Sequence, residues 1–276
     1  MYTLNCKGKL LVIEKPLVMG IINATPDSFY NQHLNIGAEA IITLAEKMIS
    51  DGADMLDIGG QSTRPGSERI SAEEEMQRVL PIIQLLNKKY PEIILSIDTY
   101  YSKVAAAAIS EGASVVNDIS AGNMDVQMIP TVAGLKVPYI CMHMKGTPET
   151  MQQNASYEDV VKEVLDFFIK KIAECIKAGI NDIIIDPGFG FGKTIADNFM
   201  LLKKLAVFEM LQKPILVGLS RKATIYNTLD IAIDDALNGT TVLHTIALLN
   251  GTSIIRVHDV KEAKQSIQLL DSYKKA

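Results

Sequence analysis

Short apolar segments rich in β-branched residues alternate with longer amphipathic stretches along the chain. Eight of these segments are almost continuously hydrophobic, which is typical of parallel strands buried on both faces. They are Leu17–Asn23, Asp54–Gly60, Ile93–Thr99, Ser114–Ser120, Pro138–Met144, Asp182–Gly188, Pro214–Ser220 and Ser253–Asp259. Helical periodicity occupies most of the intervening sequence, over Ala38–Ser50, Ala72–Lys89, Ser102–Glu111, Tyr157–Ala178, Asp234–Leu249 and Val260–Tyr273. The pattern therefore predicts strands and helices in alternation.

Eight such units predict an α/β protein, a (β/α)8 TIM barrel, with an open doubly wound sheet as the alternative. Gly52, Gly112 and Gly179 each follow a helical stretch and precede a strand, where a left-handed glycine commonly ends a helix. We expect residues 1–16 to form a short N-terminal β-hairpin extension that closes the bottom of the barrel. Residues 17–276 would form the barrel, so that residues 1–276 make one domain.

Composition excludes several classes of protein. The chain of 276 residues is 48% hydrophobic and 21% charged, which allows a large core and excludes wholesale disorder. Its net charge of −5 argues against nucleic-acid binding, because phosphate contacts need a basic surface. No apolar run approaches the ~18 residues of a membrane span, and the Leu10–Ile13 run is too short for a signal peptide. Three cysteines without CxxC spacing indicate reduced thiols, so we expect a cytoplasmic protein without membrane contacts.

Polar residues are concentrated at the C-terminal ends of the predicted strands. In a (β/α)8 barrel these ends meet on one face, which carries the active site. Any one of these residues could instead cap a helix, but capping does not explain nearly all the strands together. The strands end in Asn23, Gly59-Gly60, Asp98-Thr99, Asn117-Asp118, His143, Asp186-Pro187, Gly218–Ser220 and Arg256–His258. The sequence therefore predicts a polar pocket that binds a small ligand with many hydrogen-bonding groups.

Common catalytic motifs do not fit the sequence. The segment Asp186–Thr194 resembles a phosphate-binding loop, but Pro187 stands where that loop needs its first glycine. The four histidines lack zinc-ligand spacing, and Ser62 and Ser220 lack the second glycine of GxSxG. We therefore expect neither a covalent nucleophile nor a tight transition-metal site.

Positively charged residues follow the last two predicted strands, which commonly supply phosphate sites in barrels. They lie in the segments Ser220–Lys222 and Arg256–His258. Asp98 and Asp186 could accept hydrogen bonds from the N–H groups of a ligand. Alternatively, each carboxylate pairs with Lys222 or Arg256.

A series of motifs at successive strand ends resembles the dihydropteroate synthase family. The resemblance is collinear and covers roughly residues 14 to 270. The motifs are Asn23–Phe29, Gly59–Gly66, Asp98-Thr99, Asn117–Ile119, Met142–Pro148, Asp186–Gly188, Gly218–Lys222 and Arg256–Val260.

The resemblance implies a transferase that condenses (7,8-dihydropterin-6-yl)methyl diphosphate with 4-aminobenzoate by an SN1-like path. The products are 7,8-dihydropteroate and diphosphate, in folate biosynthesis. The resemblance also implies Mg²⁺ as cofactor and a homodimer.

The family's functional residues fall on matching positions of this chain. Lys222, Arg256 and Asp98 would be catalytic. The pterin diphosphate would bind at Thr63, Asp98, Asn117, Asp186, Lys222, Arg256 and His258. The 4-aminobenzoate would bind at Thr63, Arg64, Pro65, Phe191 and Ser220, and Mg²⁺ at Asn23.

The sequence departs from the family pattern in two loops. The first loop reads Tyr30–His33 where the family usually continues Ser-Asp-Gly-Gly, and Gln61 replaces a common glutamate. One alternative is a pterin-dependent methyltransferase, which would share the pterin pocket but would not need Ser62–Pro65 or Ser220–Lys222. A second is a non-catalytic pterin-binding paralogue, which only the altered first loop favours.

Overall fold

The structure is a computed structural model that describes residues 1–24, 34–62, 69–151 and 155–276, except for the side chains of residues 34–38. An antiparallel hairpin of β1 (Tyr2–Cys6) and β2 (Lys9–Ile13) comes first. Eight parallel strands follow it: β3 (Leu17–Asn23), β4 (Met55–Gly59), β5 (Ile94–Asp98), β6 (Val115–Asp118), β7 (Tyr139–Met142), β8 (Ile183–Asp186), β9 (Leu216–Val217) and β10 (Ile254–Val257).

Helices separate these strands and pack around them. They are α1 (Leu34–Ser50), α2 (Ala72–Lys89), α3 (Ser102–Glu111), α4 (Met128–Leu135), α5 (Val160–Ala178), α6 (Ile195–Lys203), α7 (Ala223–Leu229), α8 (Leu237–Leu249) and α9 (Val260–Lys275). Two 3₁₀ segments, Leu205–Leu211 and Ile233–Ala236, join the later elements. None of the helices in the described parts of the chain combines the length and the apolar character of a bilayer-crossing segment.

The eight parallel strands form one sheet in the order β8-β7-β6-β5-β4-β3-β10-β9. Its two edges meet at a parallel bridge between Ile185 and Ile215, where the Ile185 N–H donates to the Pro214 carbonyl at 3.0 Å. The sheet therefore closes, so the predicted (β/α)8 barrel is confirmed and the open doubly wound sheet is wrong.

The predicted strands and several helix ends are also confirmed. Each of the eight predicted segments contains one of β3 to β10, and α2 and α3 have their predicted bounds. The helix-ending glycines Gly52, Gly112 and Gly179 have φ angles of 98°, 124° and 98°, as the sequence predicted. Helix α5 begins later than predicted, at Val160, because the side chain of Asp159 accepts from the first free N–H groups of the helix.

An apolar layer fills the N-terminal end of the barrel, and the hairpin packs against it. Leu4, Cys6 and Ile13 of the hairpin are buried on this layer. The layer takes one residue from each barrel strand: Met19, Met55, Ile94, Val115, Ile140, Ile184, Leu216 and Ile254. The predicted closure of the barrel bottom by the hairpin is therefore confirmed, and a ligand site belongs at the opposite end.

Replacing Leu4 by alanine should lower the free energy of unfolding by about 2–5 kcal/mol, because it leaves a cavity under the barrel. Leu4 is 2% exposed, whereas Leu10 on the same hairpin is 70% exposed and supplies the matched control. Leu10→Ala should change stability by no more than about 0.5 kcal/mol. Urea unfolding of both variants measures the difference, and equal losses would show that the hairpin does not close the core.

Candidate active site

The guanidinium of Arg256 joins several strands at the C-terminal mouth of the barrel. Its Nε donates to Asp57 Oδ2 at 2.6 Å, and its Nη2 donates to Asp98 Oδ2 at 2.7 Å. The side-chain amide of Asn117 donates to the same Asp57 oxygen at 2.9 Å. Strands β4, β5, β6 and β10 are thereby connected through one network of charged and polar groups, which fixes the direction of the guanidinium.

Asp57 is a member of this network that the sequence analysis missed. The residues predicted from the sequence lie at strand ends, whereas Asp57 lies in the middle of β4, fully buried. A carboxylate inside the otherwise apolar run Met55–Ile58 was the signal that could have revealed it. Its Oδ1 atom is buried and makes no hydrogen bond within the described residues.

The network leaves Arg256 with its charge compensated, in contrast to the fixed positive charge expected at the end of β10. Burial raises the pKa of Asp98 to about 7, Arg256 opposes this shift, and Asp57 adds to it. Burial alone would lower the pKa of Arg256. The negative charges of Asp57 and Asp98 outweigh this effect, so the pKa of Arg256 is raised. Of the alternatives weighed for Asp98, the ion pair with Arg256 is the one present here.

Asp186 ends β8 without such an ion pair. Its Oδ1 accepts the Gly188 backbone N–H at 2.7 Å, while its Oδ2 makes no hydrogen bond within the described residues. Burial raises the pKa of Asp186, and the Gly188 N–H and the positive charge of Lys222 oppose the rise. The carboxyl group is therefore fixed at one oxygen and available at the other.

Lys222 and Phe191 face each other at the same mouth. The Lys222 Nζ lies 4.2 Å from the centroid of the Phe191 ring. Burial lowers the pKa of Lys222 to about 8, against the influence of Asp186. Phe191 also packs on the apolar cluster of Tyr100, Ile119 and Met142, so a cation and an apolar rim lie side by side.

Ser220 and His258 form a pair between the ends of β9 and β10. The His258 backbone N–H donates to Ser220 Oγ at 3.2 Å, and Oγ lies 2.9 Å from His258 Nδ1. Burial and, to a smaller extent, the charge of Arg256 lower the pKa of His258 to about 4, so the ring is neutral near pH 7. With the Ser220 hydroxyl donating to Nδ1, the ring proton is on Nε2, which becomes a hydrogen-bond donor.

Arg221 does not join the carboxylates of the mouth. Its Nε and Nη2 donate to the two oxygens of Asp259 at 3.0 and 2.8 Å. Of the two cations in Ser220–Lys222, Arg221 is therefore paired with Asp259, whereas Lys222 lies against Phe191 and acts on Asp186.

The remaining expected residues divide between described and undescribed parts of the chain. Asn23 ends β3 opposite Gly59 of β4, with an exposed side chain. Thr63, Arg64 and Pro65 lie outside the described residues, as does the unusual first-loop segment Tyr30–His33. Across the described ranges, no group of three or more His, Cys, Asp or Glu side chains is arranged to hold a metal ion.

A buried lysine that the sequence analysis did not single out connects the ends of β7 and β8. Lys193 Nζ lies 2.9 Å from Nδ1 of His143 and 2.9 Å from the Gly188 carbonyl oxygen. Burial lowers the pKa of His143 to about 2 and that of Lys193 to about 7. The glycine-rich segment that does not match the phosphate-binding motif thus packs around Lys193.

Comparison with known proteins matches nearly the whole chain. Residues 19–258 match the family described as "Pterin binding enzyme". The dihydropteroate synthase of Escherichia coli K12 is 39% identical over 268 residues, covering 96% of this chain and 94% of that protein. The folic acid synthesis protein fol1 of Schizosaccharomyces pombe is 43% identical over 271 residues, but the chain spans only 37% of its length.

Solved structures agree with this match in fold. The dihydropteroate synthase of Xanthomonas albilineans in complex with 7,8-dihydropteroate has a TM-score of 0.90 and 35% identity, with 100% of both chains covered. The structure of the Xanthomonas albilineans enzyme with 4-aminobenzoic acid has a TM-score of 0.92 and 37% identity, over 99% of this chain and 98% of that one.

Proposed function

Because the chain belongs to the pterin binding enzymes, and among them to the dihydropteroate synthases, we propose that it condenses (7,8-dihydropterin-6-yl)methyl diphosphate with 4-aminobenzoate. The products are 7,8-dihydropteroate and diphosphate, in folate biosynthesis. One observation carries the assignment: the chain matches, over its full length and at 35% identity, a synthase solved with 7,8-dihydropteroate bound. No feature of the described residues favours the methyltransferase or the non-catalytic paralogue.

The reaction exchanges one bond at the pterin methylene. The carbon–oxygen bond to diphosphate breaks, and its electron pair leaves with the diphosphate. The amine of 4-aminobenzoate forms the new carbon–nitrogen bond and releases one proton. An SN1-like order is consistent with the site, because the carboxyl groups of Asp57, Asp98 and Asp186 favour positive charge developing on the pterin.

The pterin pocket in this proposal lies at Asp98, Asn117 and Asp186. A pterin presents a ring N–H beside an exocyclic amine, and the free Oδ2 of Asp186 is an acceptor for these donors. The partly buried Phe191 ring, which packs on Tyr100, Ile119 and Met142, offers apolar surface beside these polar groups. Polar recognition and apolar contact would therefore come from the same mouth of the barrel.

The diphosphate would bind where Arg256, His258 and Lys222 meet. Asp57 and Asp98 engage Nε and Nη2 of Arg256, so its Nη1 donors remain for the leaving group. The neutral His258 ring adds its Nε2 proton. Since Asp57 and Asp98 already hold the guanidinium, these donors require little reorganisation when charge develops on the diphosphate.

The 4-aminobenzoate would bind against Phe191 and Ser220, with Thr63, Arg64 and Pro65 completing the pocket. Lys222 lies between this pocket and the pterin carboxylates, since its Nζ contacts the Phe191 ring and Asp186 shifts its pKa. We assign Lys222 to both substrates and, with Arg256 and Asp98, to catalysis.

The donor set at the mouth fits Mg²⁺ carried mainly by the substrate. Asn23 offers a hard amide oxygen at the exposed end of β3, and we assign it as the protein ligand. Mg²⁺ keeps several waters and binds substrate phosphates, so a cage of carboxylates is not required. When bound, the metal would neutralise part of the diphosphate charge.

Removing Mg²⁺ with excess chelator should suppress dihydropteroate formation, because the leaving diphosphate loses its counter-charge. Readdition of Mg²⁺ should restore the rate. Asn23→Ala should raise the Mg²⁺ concentration needed for half-maximal rate, which a metal titration measures. An unchanged rate in excess chelator would show that the metal is dispensable.

A homodimer is supported by an apolar face on the outside of the barrel. Helix α8 exposes Val242, Ile246 and Leu249 at helical spacing, and α6 exposes Phe199 and Met200. Helix α7 packs against both of these helices, so the two exposed stripes belong to one side of the molecule. A second copy of the chain would cover this face.

The substitution Leu249→Glu should convert the dimer into monomers, because it places a charge in the proposed apolar interface. Leu85 is exposed on α2, which packs against α1 and α3, so Leu85→Glu is the matched control. Sedimentation should give twice the chain mass for the wild type and for the control. A dimer that survives Leu249→Glu would place the contact elsewhere.

A cytoplasmic location is consistent with the cysteines. Cys6, Cys141 and Cys175 are buried free thiols. Reduced thiols of this kind are typical of a reducing compartment.

The function is tested by incubating the protein with the pterin diphosphate, Mg²⁺ and 4-aminobenzoate. We expect 7,8-dihydropteroate and diphosphate in equal amounts, measured by mass spectrometry and by a diphosphate assay. A protein that binds the pterin and forms no product would be the non-catalytic paralogue. A protein that forms no product but transfers the methyl group of a methylated folate to an added corrinoid would be the methyltransferase.

A further inference from the structure

The Lys193 ammonium group is enclosed by acceptors from one short segment and from the end of β7. Its Nζ lies 2.9 Å from the Gly188 carbonyl oxygen, 3.1 Å from the Phe191 oxygen and 3.3 Å from the His143 oxygen. The fourth contact is to Nδ1 of His143, at 2.9 Å. Lys193 is 3% exposed, so these contacts replace water almost completely.

When Lys193 is protonated, its three N–H groups are shared among these four acceptors. The neutral His143 ring then presents the lone pair of Nδ1 and carries its proton on Nε2. Burying an ammonium group is costly unless it is fully hydrogen-bonded. Any movement of the segment that withdraws these carbonyl groups would leave the charge buried and unpaired, so the charge holds the segment in one position.

The segment from Gly188 to Gly192, defined here as the glycine loop, has little room to move. A Cβ atom at Gly188 would lie 1.9 Å from the His143 carbonyl oxygen, and one at Gly192 would lie 2.3 Å from the Lys145 oxygen. Both glycines have positive φ angles, of 69° and 65°. The loop backbone therefore packs directly on the chain that follows β7, and Lys193 joins the two.

Two groups already assigned to the substrates depend on the glycine loop. The Gly188 N–H holds Oδ1 of Asp186 at 2.7 Å. At the other end of the loop, the Phe191 ring lies against the Lys222 ammonium group. Lys193 contacts the carbonyl oxygens of both Gly188 and Phe191 but is not itself directed at a substrate group in this assignment.

We propose that Lys193 is a positioning residue, which fixes the glycine loop so that Phe191 and Lys222 form the wall of the 4-aminobenzoate pocket. This inference rests on the proposed function. It predicts that substitution of Lys193 raises the KM for 4-aminobenzoate more than it weakens pterin binding, because Asp186 is also held by β8. There the Asp186 carbonyl accepts the His143 N–H at 2.9 Å.

The test compares Lys193→Met with Lys264→Met, a lysine that pairs with Asp54 at the opposite end of the barrel. Lys193→Met should raise the KM for 4-aminobenzoate by about tenfold or more, since hydrogen bonds from a charged group are lost. Pterin affinity should change by no more than about twofold. Lys193→Gln retains two N–H donors and should fall between the wild type and Lys193→Met, while Lys264→Met should leave both constants unchanged.

Hydrogen exchange supplies a readout that does not depend on turnover. In Lys193→Met, the backbone amides of residues 188–192 should exchange faster, while those of α9 should keep their wild-type rates. A folded Lys193→Met variant with a lower melting temperature but an unchanged KM and unchanged exchange would reduce Lys193 to a structural role and overturn the inference. A wild-type protein that forms no dihydropteroate would overturn the proposed function instead, and the exchange comparison would still test the loop.

Discussion

Replacing Arg256 by alanine is expected to lower kcat by about 100- to 1000-fold, corresponding to about 2.7–4 kcal/mol of transition-state stabilisation. The guanidinium is held by Asp57 and Asp98 at 2.6 and 2.7 Å, so its remaining N–H groups are aligned before substrate arrives. Negative charge grows on the diphosphate as the carbon–oxygen bond breaks, and a fixed donor stabilises that charge. Steady-state rates at saturating substrates measure the loss.

The same substitution removes the only cation that is hydrogen-bonded to Asp57 and Asp98 within the described residues. Breaking a buried ion pair commonly costs about 3–5 kcal/mol, so Arg256→Ala should also lower the melting temperature. Rates must therefore be measured where circular dichroism shows the variant to be folded. Arg256→Lys keeps the charge but not the planar fork, and it should also lose most of the activity. Near-normal turnover by folded Arg256→Ala would refute the diphosphate assignment.

The substitution Asp186→Asn is expected to weaken pterin binding by roughly 10- to 150-fold, the equivalent of about 1.5–3 kcal/mol for a hydrogen bond to a charged group. The Gly188 N–H, 2.7 Å from Oδ1, requires an oxygen at that position. The asparagine amide nitrogen must then occupy the position of Oδ2, where it presents donors to the donors of the pterin. Loss of the negative charge should lower kcat as well, if positive charge develops on the pterin.

Asp118→Asn is the matched control for this prediction. Asp118 is also a buried carboxylate at a strand end. Both of its oxygens accept hydrogen bonds within the protein, from Ser120, Gly122 and Tyr139. Its substitution should lower the melting temperature and leave pterin affinity nearly unchanged. Calorimetric titration and melting curves on both variants distinguish the two roles. If Asp186→Asn behaved like Asp118→Asn, the carboxyl group would be structural.

The barrel strands were predictable because burial on both faces makes them continuously apolar. Tyr139–Met142, in which all four residues are buried, is an example. The hairpin was predictable from a short apolar run near the N-terminus. Its position follows from the burial of Leu4 and Ile13 on the apolar layer at the N-terminal end of the barrel.

For three helices, α4, α6 and α7, the sequence predicted no bounds, because these segments lack a helical contrast of polar and apolar positions. Helix α4 has eight residues, MIPTVAGL, which are almost all apolar and include proline and glycine. Helix α7 has seven residues, too few for its period to be recognised. Tertiary packing between neighbouring strands, more than local preference, accounts for such short helices.

At the site, sequence reasoning found the strand ends but not the groups that hold them. Asp98, Asn117, Asp186 and Arg256 were identified because polar residues at the ends of buried strands require an explanation. Asp57 was missed because it lies within β4, and no local pattern shows that Arg256 reaches across to it from β10. Long-range pairs of this kind depend on the strand order of the sheet, in which β3 alone separates β10 from β4 although the two are far apart in sequence.

A crystal structure with 7,8-dihydropteroate bound tests the central claim most directly. We predict the pterin ring at the C-terminal mouth of the barrel, with its N–H and amine donating to Oδ2 of Asp186 and its edge near Asn117. The aminobenzoate ring should lie against Phe191. A product bound outside the mouth, or one whose pterin makes no contact with Asp186, would contradict the account.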